Sequence, residues 1–295
     1  MNRDKRGATG REEISRPPYT THERPLFFAH RGGSALAPEN TLPAYERGLA
    51  LGADALELDI HYTRDGEIVV FHDDMLERTT NGSGPISALT LDEIKRLDAG
   101  YRFTPDGGAT YPWRGQGVTI PTLVEVFERF PDVRINIDIK QESEEGDRRF
   151  ARLLRDHSRE DRTMVGSFEE KMVARFRALS EGRVATSASA PEARSFVLHV
   201  LFRATRRLRP AYDALQVPEV HRGIRVVSPT SIRLARELGL DIHVWTVDNG
   251  ADMERLLDWG VDGLMTDRPD TLAAIYQARG WLAASVEAVQ SERAE

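Results

Sequence analysis

An eight-stranded (β/α)8 TIM barrel, with a small insertion after a β-hairpin that extends strand two, is the fold this sequence predicts. Three observations predict it. Short apolar runs alternate with helix-period segments, eight of the runs can be joined in parallel by helices, and they fill roughly 250 residues, the usual span of such a barrel. An open doubly wound sheet is the alternative that the same alternation allows.

The first strand is read at 25–30, ending in His30-Arg31-Gly32-Gly33, where the glycines permit a sharp exit. A helix follows over 41–51, with Asn40 or Thr41 as its cap and Pro43 in a first turn whose N–H groups are orphaned anyway; Gly52 stops it. Strand two, 54–60, runs into a hairpin around Asp65-Gly66, a dipeptide suited to a two-residue type I′ turn. That turn pairs Arg64 with Glu67 and sets Asp59 opposite His72; a four- or five-residue loop would shift the register. Residues 74–118 are rich in Gly, Thr and Pro, carry one short helical pattern at 91–97, and read as an insertion.

After Pro121 the rhythm is regular. Helices are read at 122–130, 146–157, 169–180, 191–207, 230–238, 251–258 and from about 271. The remaining strands are 134–139, 163–166, 183–187, 213–217, 242–247 and 262–265. The barrel thus spans 25–278, between a disordered polar tail at 1–24 and a helical or disordered tail at 279–295.

Composition narrows the function. With 40 basic against 47 acidic residues, nucleic acid is an unsuitable partner. The absence of cysteine excludes thiolate catalysis, disulfides and Cys-ligated zinc. Residues 1–24 lack the apolar core of a signal peptide, and no apolar run approaches the ~18 residues a membrane span needs, so a cytoplasmic protein is expected.

Barrel strands are buried on both faces and should read as nearly continuous apolar runs. Two do not. Strand two carries Glu57 and Asp59 on one face, with Leu56, Leu58 and Ile60 on the other, and 135–140 alternates Ile with Asn136, Asp138 and Lys140. These groups, with His30, Arg31 and Trp245, lie toward the C-terminal ends of their strands, the catalytic face of a barrel. The structural alternative is a pair of ion pairs, Asp138–Lys140 and Glu57–Arg31, plugging the mouth. Three carboxylates in one cavity repel unless neutralised, and all-oxygen ligands suit a hard divalent cation, Mg2+ or Ca2+, better than zinc. His30 and His72 are either further ligands or a general acid/base pair near neutral pH. A cation with Arg31 and Lys140 around one point would stabilise a phosphoryl group as it gains charge.

These residues resemble the glycerophosphodiester phosphodiesterase family. The matching motifs, in order, include His30-Arg31-Gly32, Pro38-Glu39-Asn40-Thr41, Glu57-x-Asp59, Thr63-x-Asp65-Gly66, His72-Asp73 with Arg78-Thr79-Thr80, Ile120-Pro121-Thr122-Leu123, Trp245-Thr246-Val247 and Thr266-Asp267-x-Pro269. The resemblance implies His30 and His72 as acid and base, Glu57, Asp59 and Asp138 as ligands of one divalent cation (Ca2+, Mg2+ or Mn2+), Arg31 and Lys140 as phosphate contacts, and Trp245 as a wall for the glycerol or leaving-group side. One position departs: the family's Glu-x-Lys is Asp138-Ile139-Lys140 here, shortening the third ligand by one methylene, which favours a bridging water or a different ion. The implied reaction releases sn-glycerol 3-phosphate and an alcohol through a cyclic phosphate. A barrel that only binds phosphodiesters would be expected to lose a histidine or carboxylate, and all are retained.

One stretch, 195–209, is apolar almost all round for two turns and then basic. It reads as a barrel helix whose arginines complement its dipole. The sharper alternative is an apolar, basic-edged entrance for an acyl chain or a peripheral membrane contact, which would favour lysophospholipids and a lysophospholipase D activity.

Overall fold

The structure, a computed structural model, describes residues 18–202 and 207–283. Its eight parallel strands are β1 (Leu26–His30), β2 (Ala55–Tyr62), β4 (Arg134–Ile139), β5 (Thr163–Gly166), β6 (Ala185–Thr186), β7 (Ala214–Val217), β10 (Asp241–Val244) and β11 (Gly263–Thr266). They run in the order β6-β5-β4-β2-β1-β11-β10-β7. A parallel bridge between Ser187 and Ala214 joins the two ends, so the sheet closes into a barrel and the open doubly wound sheet is excluded. Helices connect the strands: α1 (Leu42–Ala50), α3 (Leu123–Arg129), α4 (Glu144–Asp156), α5 (Glu170–Ser180), α6 (Ala190–Leu201), α7 (Pro229–Glu237), α8 (Gly250–Trp259) and α9 (Pro269–Ala278). Among the described residues no helix is long and apolar enough to cross a membrane.

The period-2 reading of β2 holds. Leu56, Leu58 and Ile60 pack outward against the helices, with Phe127, Ile137 and Phe150 in the same cluster. Ala55 instead joins Leu26, Phe28, Met164, Ala214 and Met265 in the barrel interior. The floor of that interior is Tyr19, buried on a short 3-10 helix over Pro18–Thr20. The segment is tied down on both sides: His22 Nε2 lies 3.1 Å from Asp241 Oδ2, and Arg24 is bidentate to Asp54 at 2.6 and 2.9 Å. The polar tail expected over 1–24 therefore gives way to packed chain from Pro18, because Tyr19 fills apolar space that barrel side chains leave open; residues 1–17 lie outside the described residues. At the other end Trp281 stacks edge-on against Tyr276, so packing runs past 278, and 284–295 lie outside the described residues.

The hairpin differs from expectation by one residue. β3 (Ile68–Val70) pairs with β2 as Ile60 with Val70, His61 with Val69 and Tyr62 with Ile68. The loop has three residues, Arg64 to Gly66: Thr63 N–H donates to the Glu67 carbonyl (2.9 Å), Gly66 N–H donates to the Thr63 carbonyl (3.0 Å), and Gly66 takes the left-handed φ of 83° that closes such a loop. Asp59 consequently lies opposite Phe71, not His72. A one-residue slip exchanges the faces of a strand. Here it sends Ile68 and Val70 to the helix side and turns Val69 and Phe71 onto the insertion, where they pack with Leu76, Ile86, Ile94 and Ile120. The insertion is thus a small apolar cap on the hairpin, with α2 (Leu91–Ile94) held by a Thr90–Glu93 capping box.

One element was unforeseen. After β7 the chain makes a second hairpin, β8 (Val220–His221) and β9 (Ile224–Arg225), turning at Arg222 and Gly223 with positive φ at both. α6 ends at Leu201; 203–206, within the helix expected to reach 207, lie outside the described residues.

Candidate active site

The C-terminal mouth of the barrel opens into a cavity of about 390 Å³, and all eight residues singled out in the sequence line it: His30, Arg31, Glu57, Asp59, His72, Asp138, Lys140 and Trp245. β1 and β2 supply most of the charge through their register, which sets His30 beside Glu57 and Asp59 beside Asp138. The turn after β1 aims Arg31. Arg31 has φ 52° and Gly32 φ 87°, and a Cβ on Gly32 would lie 2.7 Å from that of Ala44 on α1, so only glycine lets the turn lie against the helix.

The two histidines are built alike. His30 Nδ1 lies 2.6 Å from Asp267 Oδ1, beyond the end of β11, and His72 Nδ1 lies 2.6 Å from Asp73 Oδ1. A carboxylate on Nδ1 orients an imidazole and leaves Nε2 for substrate. His30 Nε2 is 3.8 Å from Glu57 Oε2. Burial opposes the His30 imidazolium, but Glu57 and the Asp267 hydrogen bond outweigh it and lift its pKa to about 8. Asp73 is itself fixed: burial is overcome by Arg78 and His72, which pull its carboxyl down to about 2. Arg78 also grips Glu39 at 2.6 and 2.7 Å, and Glu39 accepts from Arg31 Nη1 at 3.0 Å. Alternating charges thus link His72 to Arg31 around the rim.

The carboxylates sit unequally. Asp59 accepts from Asn40 Nδ2 (2.9 Å), which Tyr45 orients, and meets Lys140 Nζ at 3.0 Å and Arg31 Nε at 3.5 Å. Its burial is more than offset by Lys140 and Arg31, so its pKa is lowered. Glu57 accepts the Arg31 backbone N–H at 3.0 Å, and burial together with Asp59 pushes its pKa upward. Asp138 is raised by burial although Lys140 Nζ stands 2.6 Å from its Oδ2. Lys140 is held well above its usual range, burial being outweighed by Asp138 and Asp59. The Asp138–Lys140 ion pair of the structural alternative is therefore present, and Lys140 stands between two carboxylates. Among the described residues no group of three or more His, Cys, Asp or Glu side chains is gathered closely enough to hold a metal ion.

The other half of the cavity is mainly apolar, interrupted by Arg194, Gln216 and His221: Trp245, edge-on to Phe168 at 5.8 Å, with Val197 of α6, Val217 of β7, Ile224 of the second hairpin and Val226 just after it. Sequence reasoning assigned no role to Asp267, Asp73, Arg78 or Glu39, although each stands inside a motif it quoted, and it read Asn40 only as a candidate helix cap; the cap is Thr41, and Asn40 holds Asp59 instead. It had no signal for Ile224 and Val226.

Two imidazoles, each oriented by a carboxylate, share one cavity with the cations Arg31 and Lys140 at the C-terminal mouth of the barrel, an arrangement compatible with an enzyme of the phosphoric diester hydrolase class. Residues 30–271 match the profile of the Glycerophosphoryl diester phosphodiesterase family, and the chain belongs to that family, whose activity is hydrolysis of glycerophosphodiesters. It is 34% identical over 266 residues, covering 86% of this chain and 99% of the relative, to a glycerophosphodiester phosphodiesterase of Caldanaerobacter subterraneus. It resembles an Oleispira antarctica phosphodiesterase solved in complex with the product sn-glycerol-3-phosphate, with a TM-score of 0.68 and 27% identity over 87% of this chain and 97% of the other. It is also 26% identical to Lysophospholipase D GDPD1 of Mus musculus, covering 83% of this chain and 84% of the relative.

Proposed function

We propose that this chain cleaves glycerophosphodiesters to sn-glycerol 3-phosphate and an alcohol, by acid–base catalysis between His30 and His72. The observation that carries the reading is the pair of imidazoles, each with Nδ1 committed to a carboxylate, in one cavity with Arg31 and Lys140.

In the first half-reaction one histidine takes the proton of the substrate's vicinal glycerol hydroxyl as that oxygen bonds to phosphorus. The phosphorus–oxygen bond to the departing alcohol breaks, and the other histidine gives its proton to the alcohol oxygen. A cyclic phosphate remains. In the second half the roles exchange: the now neutral histidine takes a proton from water, the hydroxide bonds to phosphorus, and the ring oxygen leaves with the proton held by its partner. Arg31 and Lys140 neutralise the equatorial oxygens, and Trp245 with Phe168 walls the organic side.

Glu57, Asp59 and Asp138 would hold a divalent cation, Ca2+ or Mg2+ with Mn2+ the next candidate. The donor chemistry fits, being all oxygen, although the three carboxylates are not drawn together and Lys140 Nζ stands between Asp59 and Asp138, so an ion would have to gather them and displace that ammonium. When bound, such an ion supplies charge stabilisation beside the phosphoryl oxygens. Asp138, shortened and paired with Lys140, is the third ligand in this reading.

A second reading, hydrolysis of lysophospholipids, is favoured by the apolar half of the cavity, which suits an acyl chain better than water. Assaying chelated protein with added Ca2+, Mg2+ or Mn2+ against glycerophosphocholine and lysophosphatidylcholine tests both. Cation-restored release of choline from glycerophosphocholine is expected. Turnover confined to the lysolipid moves the assignment to the second reading, and none on either substrate overturns both.

A further inference from the structure

We propose that α6 and the β8–β9 hairpin form a face that docks this enzyme on an anionic lipid surface, with the catalytic cavity opening beside it. α6 covers the barrel poorly. Of its twelve residues only Phe196 is buried, whereas the eleven-residue α5 buries Met172, Val173, Phe176 and Ser180. Most of what α6 turns outward is nonetheless apolar, with Arg194 its one exposed charge: Leu198 is 47% exposed, Leu201 60%, and Phe202 at its C-cap 78%. A barrel helix ordinarily presents polar residues to water.

The exposed stripe is continuous with the active site. Ala190, Val197 and Leu201 fall on one side of the helix, and the first two line the cavity. The β8–β9 hairpin lines the same cavity through Ile224, 52% exposed, and carries Val220, 47% exposed, on its other strand. Exposed apolar side chains on two elements around one cavity mouth mark an interaction site.

Charge selects the partner. Among the described residues, 193–202 and 207–212 carry Arg194, Arg207 and Arg209 and no carboxylate, in a chain whose net charge is −7. The hairpin adds Arg222 at its turn. A basic apolar segment on an acidic protein fits a surface with an anionic exterior and an apolar interior. The inference rests on the proposed phosphodiesterase reading only for its use: lipid head groups carry phosphodiester bonds, and a docked barrel would meet them at its mouth.

The test is co-sedimentation of the full chain with phosphatidylcholine vesicles, with and without phosphatidylglycerol, beside a Leu201→Asp/Phe202→Asp variant. Turnover of soluble glycerophosphocholine and a circular dichroism melt of each protein serve as fold controls; neither substituted residue lines the cavity. Binding to anionic vesicles is expected, falling as salt rises and weaker by ~tenfold or more in the variant, whose soluble turnover and melting stay unchanged. Absence of wild-type binding, equal binding by the variant, or a wild-type dimer that the variant dissolves would each overturn the proposal. Vesicle binding without turnover of any diester supports docking and refutes the catalytic reading instead. Arg207→Glu is a second variant: it should weaken binding to anionic vesicles while leaving the apolar stripe intact, and unchanged binding counts against the proposal.

Discussion

His30 and Asp267 stand 237 residues apart in the chain and 2.6 Å apart in the fold, imidazole Nδ1 to carboxylate Oδ1. Closure of the barrel makes the contact, since β1 pairs directly with β11. The carboxylate sets which ring nitrogen carries the proton and stabilises the imidazolium. Asp267→Asn keeps the shape and removes the charge. Its kcat should fall by roughly 10²- to 10⁴-fold with KM changed far less and the melting temperature nearly constant. A wild-type kcat would make Asp267 a structural residue only.

Lys140 bridges Asp59 and Asp138, at 3.0 and 2.6 Å. Removing it leaves the buried Asp59 and the half-buried Asp138 facing each other, with only Arg31 and Asn40, both on Asp59, to compensate. Lys140→Met should lower unfolding stability by ~2–4 kcal/mol in urea titrations of metal-free protein. Lys140→Met/Asp138→Asn should recover part of that loss, because one of the repelling charges is gone. Additive losses would show that the two side chains do not interact.

Asp241 anchors the floor of the barrel. Burial works against its charge, but His22 and His243 outweigh it and hold its carboxyl below the usual range. A carboxyl depressed in the fold contributes stability that is fully present above its unfolded pKa of about 3.9 and declines as pH falls through the folded value. Asp241→Asn should therefore be less stable than wild type by ~1–3 kcal/mol at neutral pH, with the gap narrowing as the titration moves below about pH 4. A gap that stays constant into strong acid would contradict this account of Asp241.

Much of the fold is legible in the sequence because barrel strands are buried on both faces. Runs such as Leu26–His30 and Gly263–Thr266 stand out as apolar, and Glu57, Asp59 and Asp138 stand out because they interrupt that pattern. What was not legible depended on contacts between distant segments. Asp65-Gly66 marks a turn, but its length was settled by the hydrogen bonds of Thr63 and by the need of Val69 and Phe71 to face the insertion. Asp267 carries no local sign of the histidine it orients. The β8–β9 hairpin is too short to show a period, and Tyr19 lies in a segment whose composition is that of a tail.

The central claim is that His30 and His72 are the acid and base of one phosphodiester-cleaving site. Hydrolysis of glycerophosphocholine by metal-supplemented His72→Ala and His30→Ala, followed by phosphorus NMR, tests it most directly. Each variant should melt like the wild type and lose ~10³-fold or more of its turnover. Near-normal release of sn-glycerol 3-phosphate by either variant would contradict the assignment.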